Sequence, residues 1–106
     1  MAAATDTIIG IVKQYLRELS THDIPVDRAI LFGSFARGNA GEHSDIDVAL
    51  ISHAFSGDRF DDRRRIVPLR RGIDSRIEPI PFRPEQFADG GNLIDEIKKN
   101  GLNISL

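Results

Sequence analysis

The sequence predicts a small α/β (α+β) domain, in which a mixed β-sheet is flanked by helices. Short apolar runs of strand length alternate along the chain with segments of helical periodicity. With 106 residues, the chain is long enough for one hydrophobic core. We therefore expect residues 1–106 to form a single domain.

The first two predicted elements are a helix and a buried strand. The helix is capped by Thr5 or Asp6 and runs to about Leu19, because apolar residues recur there at helical spacing. After a short connection, the largely apolar residues 28–32 lead into Gly33. An apolar run that ends at a glycine is typical of a buried strand followed by a turn.

A short helical turn, a loop and a second strand are predicted next. Residues 34–38 are expected to form the turn, and the polar residues 39–43 the loop. Residues 44–51 predict a strand, since their side chains alternate between two faces. One face carries Ile46, Val48 and Leu50, and the other carries Asp45, Asp47, Ala49 and Ile51.

The middle of the chain predicts a charged helix and an edge strand. Residues 57–72 place acidic side chains ahead of basic ones, which suits the helix dipole, and Pro68 is expected to kink or end the helix. Residues 75–79 predict a short strand. The prolines nearby indicate that this strand lies at an edge or ends early, because proline cannot donate a ladder hydrogen bond.

Helical segments dominate the predicted C-terminal part. Residues 84–88 can begin a helical turn. Residues 92–100 predict a helix that stops at Gly101. The apolar residues 102–106 are expected to pack on the domain or on a partner.

Composition excludes several classes of function. The formal net charge of −2 disfavours, without excluding, a nucleic-acid binder, and the lack of cysteine excludes disulfides and thiolate metal sites. The N-terminal residues lack the pattern of a secretory signal, and the apolar runs are too short to span a bilayer. We therefore expect a cytoplasmic protein without a membrane partner.

Asp45 and Asp47 are the most informative pair of side chains. On a strand they point the same way, with Cα atoms about 6.5 Å apart. Carboxylates at that separation can converge on Mg²⁺, which prefers oxygen ligands. Two like charges on a mostly apolar strand are costly unless something neutralises them, and a bound cation would do so. The alternative is a solvent-exposed pair without a ligand.

Gly33 and Ser34 predict a phosphate-binding turn. A strand that ends in Gly-Ser and enters a helical turn presents backbone N–H groups that attract phosphate. Gly33 allows close approach of a ligand, and the Ser34 hydroxyl can donate to a phosphate oxygen. The alternative is an ordinary turn in which Ser34 caps the helix. Ten residues separate Ser34 from Asp45, which suits two neighbouring strands whose ends form one site for a nucleoside triphosphate and its metal.

The stretch GSFARGNAGEHSDIDVAL resembles the signature of the DNA polymerase β-like nucleotidyltransferases. In that signature, Gly-Ser is followed by about ten residues and Asp-x-Asp. Nearly the whole chain resembles the minimal nucleotidyltransferases, which are small partners of HEPN-domain toxins in prokaryotic toxin–antitoxin pairs. The combined motif is far more specific than either half.

The resemblance implies a polymerase β-like fold and transfer of a nucleotide, with ATP as the expected substrate and AMP as the group transferred. It implies that Gly33 and Ser34 hold phosphates and that Asp45 and Asp47 bind two Mg²⁺ ions. Glu78 falls at the place of the third metal-binding and catalytic carboxylate, which helps to activate the attacking hydroxyl. The acceptor implied is a tyrosine of a HEPN-domain partner, and its modification silences the toxin.

Two positions depart from the resemblance. The third carboxylate is often Asp, whereas Glu78 is one methylene longer, and Asp74 competes for the role. Position 35 is Phe, where related proteins often carry a basic residue. These departures bear on catalytic efficiency more than on fold.

Basic residues near these motifs have two interpretations each. Arg37 can bind a phosphate bidentately, or it can pair with Glu42 or Asp45. His43 can contact the nucleotide, but we expect it to be a solvated loop residue. The arginines at positions 59, 63, 64, 65, 70 and 71 form either a docking patch or a helix face compensated by nearby aspartates.

Two functions follow from these features. The first is an active nucleotidyltransferase that modifies its partner. The second is a binding module that neutralises the partner by contact alone, for which the arginine-rich stretch and the short chain are the motivation.

Overall fold

A long N-terminal helix covers one face of the molecule. The computed structural model describes residues 2–41 and 43–106. Helix α1 spans Ala2–Thr21, so neither Thr5 nor Asp6 caps it, and that prediction was wrong. Alanine has the highest helix propensity, and the alanines at the start extend the helix beyond the polar residues that looked like caps. Near its end, the Thr21 hydroxyl donates to the Glu18 carbonyl at 2.7 Å.

One mixed sheet forms the centre of the fold. Its strands are β1 (Arg28–Phe32), β2 (Ile46–Ile51), β3 (Ile77–Phe82) and β4 (Leu102–Ile104), in the order β3-β2-β1-β4. β1 pairs antiparallel with β2 and β4, and β2 pairs parallel with β3. The predicted mixed sheet flanked by helices is confirmed. β4 was not predicted: it is three residues long and forms by pairing with β1, which a local pattern does not show.

The remaining helices are short. They are α2 (Ser34–Arg37), α3 (Arg59–Ile66), a 3-10 helix (Val67–Arg70), α4 (Pro84–Asp89) and α5 (Asn92–Asn100). Helix α3 ends at Ile66, and the chain continues through Val67 and Pro68 as the 3-10 helix, so the α-helix ends at the proline as predicted. Within the described ranges, no helix combines the length and apolarity that crossing a membrane needs.

The two faces of the sheet bury different side chains. Ile46, Val48 and Leu50 belong to a core cluster with buried residues of α1, whereas Ala49 and Ile51 pack with buried residues of α4 and α5. The alternation predicted for β2 is therefore confirmed. Asp47 has the same parity as Ala49, so it lies on the α5 face of the sheet.

Strand β3 is an edge strand that contains two prolines. It was predicted at residues 75–79 but begins later and continues through Pro79 and Pro81 to Phe82. The Phe82 carbonyl accepts a hydrogen bond from the Ser52 N–H at 3.0 Å, so residues of even number turn their backbone toward β2. The prolines lie at odd positions and face away from β2. The missing N–H groups therefore cost no ladder hydrogen bond, and the strand does not end early.

Candidate active site

The sheet register brings three predicted site residues together. Asp47 pairs with Phe32 of β1 on one side and with Glu78 of β3 on the other. Gly33 directly follows Phe32, so it adjoins Asp47 as well. Asp47 and Glu78 project from the same face, since directly paired residues on neighbouring strands share a side. The end of β1 and the starts of β2 and β3 thus form one acidic corner of the sheet.

Gly33 is required by its backbone and by its neighbour. Its φ is 72° and its ψ is −148°, a conformation that only glycine adopts readily. A Cβ atom at this position would overlap with Oδ2 of Asp47. The glycine therefore allows the Asp47 carboxylate to lie against the turn backbone.

The Gly-Ser turn does not have the helix cap that one of its two predicted interpretations required. Gly33 is the N-cap of α2 and Ser34 is its first residue, so the Ser34 side chain does not cap the helix. The Arg37 N–H donates to the Gly33 carbonyl at 3.1 Å, which closes the short helix. Phe35 packs against the core cluster below α1, and this contact accounts for an apolar residue at that position.

Asp45 lies one residue before β2, so the prediction that both aspartates lie on the strand is wrong for Asp45. The ladder begins at Ile46, whose N–H donates to the Arg76 carbonyl at 2.8 Å. Asp45 is exposed, whereas Asp47 is half-buried. The two carboxylates nevertheless lie within electrostatic range of each other.

The pKa of Asp47 is raised above its ordinary value. Burial is the largest cause, and the negative charges of Asp45 and Glu78 add to it. Arg37 acts in the opposite direction, so its guanidinium is close enough to influence the site. The causes of this pKa shift are burial and neighbouring charges, and they include no hydrogen bond from the described residues. The negative charge of Asp47 is therefore incompletely compensated by the protein.

Glu78 has the cationic partners that Asp47 lacks. Its Oε1 lies 2.9 Å from Nη1 of Arg70, and its Oε2 lies 3.5 Å from Nη2 of Arg63. The competing carboxylate, Asp74, is paired instead with Arg76 at 2.8 Å. Hydrogen bonds from Arg76 lower the pKa of Asp74. Glu78, and not Asp74, is thus the neighbour of Asp47.

The basic residues at the end of α2 and in the loop before β2 are open to solvent. His43 is exposed there, and Arg37 is exposed at the end of α2. Glu42, the other predicted partner of Arg37, lies outside the described residues. The alternative pairing of Arg37 with Glu42 therefore stays a prediction.

Sequence reasoning missed the roles of Arg63 and Arg70. Both were grouped with the exposed arginines as a docking patch or a solvated face. A weak signal exists, since residues seven apart lie on the same side of a helix. That signal does not identify Glu78 as their target, because the target lies on another element.

The three carboxylates are open to solvent to different degrees, since Asp45 is exposed and Asp47 and Glu78 are half-buried. A cavity of about 520 Å³ is lined by residues of α1, of the connection to β1 and of the C-terminal end, and none of the predicted site residues lines it. Among residues 2–41 and 43–106, no three Asp, Glu or His side chains converge closely enough to hold a metal ion as they stand.

Comparisons with known proteins identify the family of the chain. The family model for the nucleotidyltransferase domain matches residues 10–102. A protein of Methanocaldococcus jannaschii, provisionally named a protein adenylyltransferase, is 47% identical over 102 residues. The alignment covers 92% of this chain and 98% of that protein.

Solved structures share the fold. A crystal structure of a provisionally assigned nucleotidyltransferase from Sulfolobus solfataricus superposes with a TM-score of 0.68, covering 96% of this chain and 83% of that one at 16% identity. A toxin–antitoxin crystal structure with AMP-PNP superposes with a TM-score of 0.59, covering 92% of this chain and 72% of that one at 19% identity. From the family match and the archaeal relative together, the chain belongs to the nucleotidyltransferase domain family and is a nucleotidyltransferase.

Proposed function

We propose that the protein transfers AMP from ATP to a hydroxyl acceptor in a magnesium-dependent reaction. The observation that carries this proposal is the register that sets Asp47 between Phe32 and Glu78, with Gly33 against its carboxylate. Support for ATP comes from the name of the M. jannaschii relative and from the toxin–antitoxin structure with AMP-PNP.

The donor set fits a hard divalent cation. Mg²⁺ is usually held by one or two carboxylates together with substrate phosphates and water. Asp45 and Asp47 supply such oxygens, and a cation would offset the repulsion that raises the pKa of Asp47. We assign these two aspartates as ligands of two Mg²⁺ ions. Glu78 is assigned as the third carboxylate, because its oxygens keep lone pairs for a ligand beside their contacts with Arg63 and Arg70.

The chemistry follows from this assignment. Bound magnesium would lower the pKa of the acceptor hydroxyl and stabilise the leaving pyrophosphate. Gly33, Ser34 and Arg37 hold the triphosphate through backbone N–H, hydroxyl and guanidinium donors. The acceptor oxygen forms a bond to the α-phosphorus, the bond from that phosphorus to the bridging oxygen breaks, and Glu78 takes up the hydroxyl proton.

The acceptor we propose is a tyrosine hydroxyl of a HEPN-domain toxin, so that modification silences the toxin. The relative's name supports a protein acceptor, and the toxin–antitoxin neighbour supports a protein partner. Because Asp45 is exposed and Asp47 and Glu78 are only half-buried, the bound partner would cover the nucleotide and exclude water.

Calorimetry of ATP binding tests the nucleotide site. We expect binding that requires magnesium and weakens at least about tenfold in Asp45→Ala/Asp47→Ala, because metal-bridged phosphate contacts are lost. The matched control is Asp61→Ala/Asp89→Ala, which removes two exposed carboxylates elsewhere and should bind as the wild type does. Absence of magnesium-dependent binding in the wild type would contradict the proposal.

Neutralisation of the partner by contact alone is the competing function. The arginine cluster that motivated it is smaller than the sequence indicated, because Arg63 and Arg70 bind β3 and Glu78. Labelled ATP, the toxin and the Asp45→Ala/Asp47→Ala variant separate the two functions. A variant that still binds and silences the toxin without label transfer would establish contact as the function.

A further inference from the structure

Two arginines hold both oxygens of Glu78. Arg63 lies on α3 and Arg70 lies on the 3-10 helix that follows, and this segment runs along the outer edge of β3. The side chains of Arg70, Arg63 and Glu78 are 26%, 35% and 36% exposed. Ion pairs that are shielded to this extent are screened less than pairs on the open surface.

The same arginines also bind the backbone on either side of Glu78. Nη1 of Arg70 donates to the Ile77 carbonyl at 2.6 Å, and Nη1 of Arg63 donates to the Pro79 carbonyl at 2.6 Å. These carbonyls belong to the residues directly before and after Glu78, and they point away from β2. The arginines therefore restrain the carboxylate and both neighbouring peptide groups together.

This restraint offsets the repulsion and the side-chain freedom that Glu78 would otherwise have in the site. Glu78 lies directly opposite Asp47, and like charges in that position repel. Glutamate also has one more rotatable bond than aspartate, so its carboxylate samples more positions unless it is held. Arg63 and Arg70 offset the charge of Glu78 and limit its motion, while leaving the charge of Asp47 to a ligand.

We propose that Arg63 and Arg70 are positioning residues, which fix the Glu78 carboxylate in the place from which it serves the transfer reaction. The proposal deepens the proposed function and rests on it. A carboxylate held in its working position needs no reorganisation when the acceptor hydroxyl arrives, and residues that hold a catalytic group in place affect the rate more than substrate binding.

The two arginines differ in how they make their contacts. Arg70 reaches both the Ile77 carbonyl and Glu78 with the single nitrogen Nη1. Arg63 uses two nitrogens, Nη1 for the Pro79 carbonyl and Nη2 for Glu78. An ammonium group can replace one nitrogen that donates twice, but it cannot replace a fork. Lysine should therefore substitute at position 70 and fail at position 63.

Kinetics of AMP transfer to the toxin tests the role in catalysis. We expect Arg70→Met and Arg63→Met to lower kcat about 10- to 100-fold while KM for ATP changes less than about twofold. Arg70→Lys should restore kcat to within about threefold of the wild type, and Arg63→Lys should not. The matched control is Arg65→Met, because Arg65 also lies on α3 and donates to a carbonyl, that of Ala54 at 3.1 Å, without touching Glu78.

A spectroscopic measurement separates this inference from the proposed function. In protein labelled with ¹³C at the glutamate carboxyls, the Glu78 signal, assigned with Glu78→Gln, should shift and broaden in Arg63→Met and Arg70→Met but not in Arg65→Met. Absence of transfer by the wild type would count against the proposed function alone. The positioning role would be overturned if the Glu78 signal were unchanged in both Arg63→Met and Arg70→Met. It would also be overturned if the kcat of these two variants equalled that of Arg65→Met.

Discussion

Two aspartates that are both shielded from solvent have opposite surroundings. Asp62, on α3, is 1% exposed and accepts hydrogen bonds from Ser56 N–H at 2.8 Å, Ser56 Oγ at 3.0 Å and Gly57 N–H at 3.0 Å. Asp47, at the corner of the sheet, is half-buried and has two other carboxylates as neighbours, with Arg37 as an opposing charge.

The difference separates a stabilising carboxylate from one that is available to a ligand. The charge of Asp62 closes the loop after β2 by satisfying two backbone N–H groups, so it contributes to folding. The charge of Asp47 opposes folding, because burial and like charges raise its pKa. A carboxylate whose charged form is destabilised in this way, beside a turn that only glycine adopts readily, is typical of a functional site.

The largest expected effect is a loss of stability in Asp62→Asn, which is compared with Asp47→Asn. In Asp62→Asn, an NH₂ group faces a backbone N–H donor, and one or two buried donors lose their acceptor. We expect the free energy of unfolding to fall by about 3 kcal/mol, from about 1–3 kcal/mol for each unsatisfied group. Asp47→Asn should leave stability unchanged or slightly increased. Urea denaturation followed by circular dichroism measures both, and equal losses would contradict the distinction.

Two glycines provide a second, smaller test of the same comparison. Gly33 contacts Asp47, and Gly57 donates to Asp62, and both have a positive φ, of 72° and 96°. Alanine at either position should cost about 2 kcal/mol of stability, because L residues are strained there. Only at position 33 does the new Cβ overlap with a site carboxylate; at position 57 it meets the flexible Arg83 side chain.

The functional consequence should therefore differ between these two variants. We expect Gly33→Ala to weaken magnesium-dependent ATP binding at least about tenfold, since Asp47 is displaced from the turn. Gly57→Ala should bind ATP as the wild type does, at a temperature where both variants remain folded. Equal affinities in calorimetry would show that the contact between Gly33 and Asp47 does not shape the site.

Much of the site corner could be predicted from local patterns. The glycine after β1 and the alternation along β2 were sufficient to propose Gly33 and Asp47 as neighbours, whereas Glu78 was assigned from the resemblance to the polymerase β-like nucleotidyltransferases. The structure confirms that they adjoin, because strand period and connection length are local properties that fix which residues share an edge. Their roles in binding and catalysis stay predictions.

The parts that could not be predicted depend on tertiary partners. The prolines near β3 left open an edge strand or an early end, and the edge position, which needs no N–H donors on its outer side, is the one found. β4 forms only because β1 offers an unpaired edge. Arg63 looked like an exposed helix residue, and its contact with Glu78 depends on how α3 packs along β3. Propensity and periodicity contain no information on such contacts.

The smallest expected effect is the pH dependence that Asp47 adds to stability. Because its pKa in the folded state is raised above 3.8, the folded protein binds more protons than the unfolded chain between that value and the raised one. The contribution of Asp47 is thus most favourable below this window and is lost as pH rises through it. Asp47→Asn removes this dependence, so the stability advantage of the variant should grow with pH.

That growth should amount to only about 0.5 kcal/mol between acid and neutral pH, because Asp47 is half-exposed and its charge is screened by solvent. Thermal unfolding of the wild type and Asp47→Asn across this range, at low salt, measures the gap in stability between the two proteins. A widening gap means that the fold leaves the Asp47 charge for a ligand to neutralise. A constant or shrinking gap would mean that the protein already compensates this charge, as it does for Asp62, and the contrast between the two aspartates would disappear.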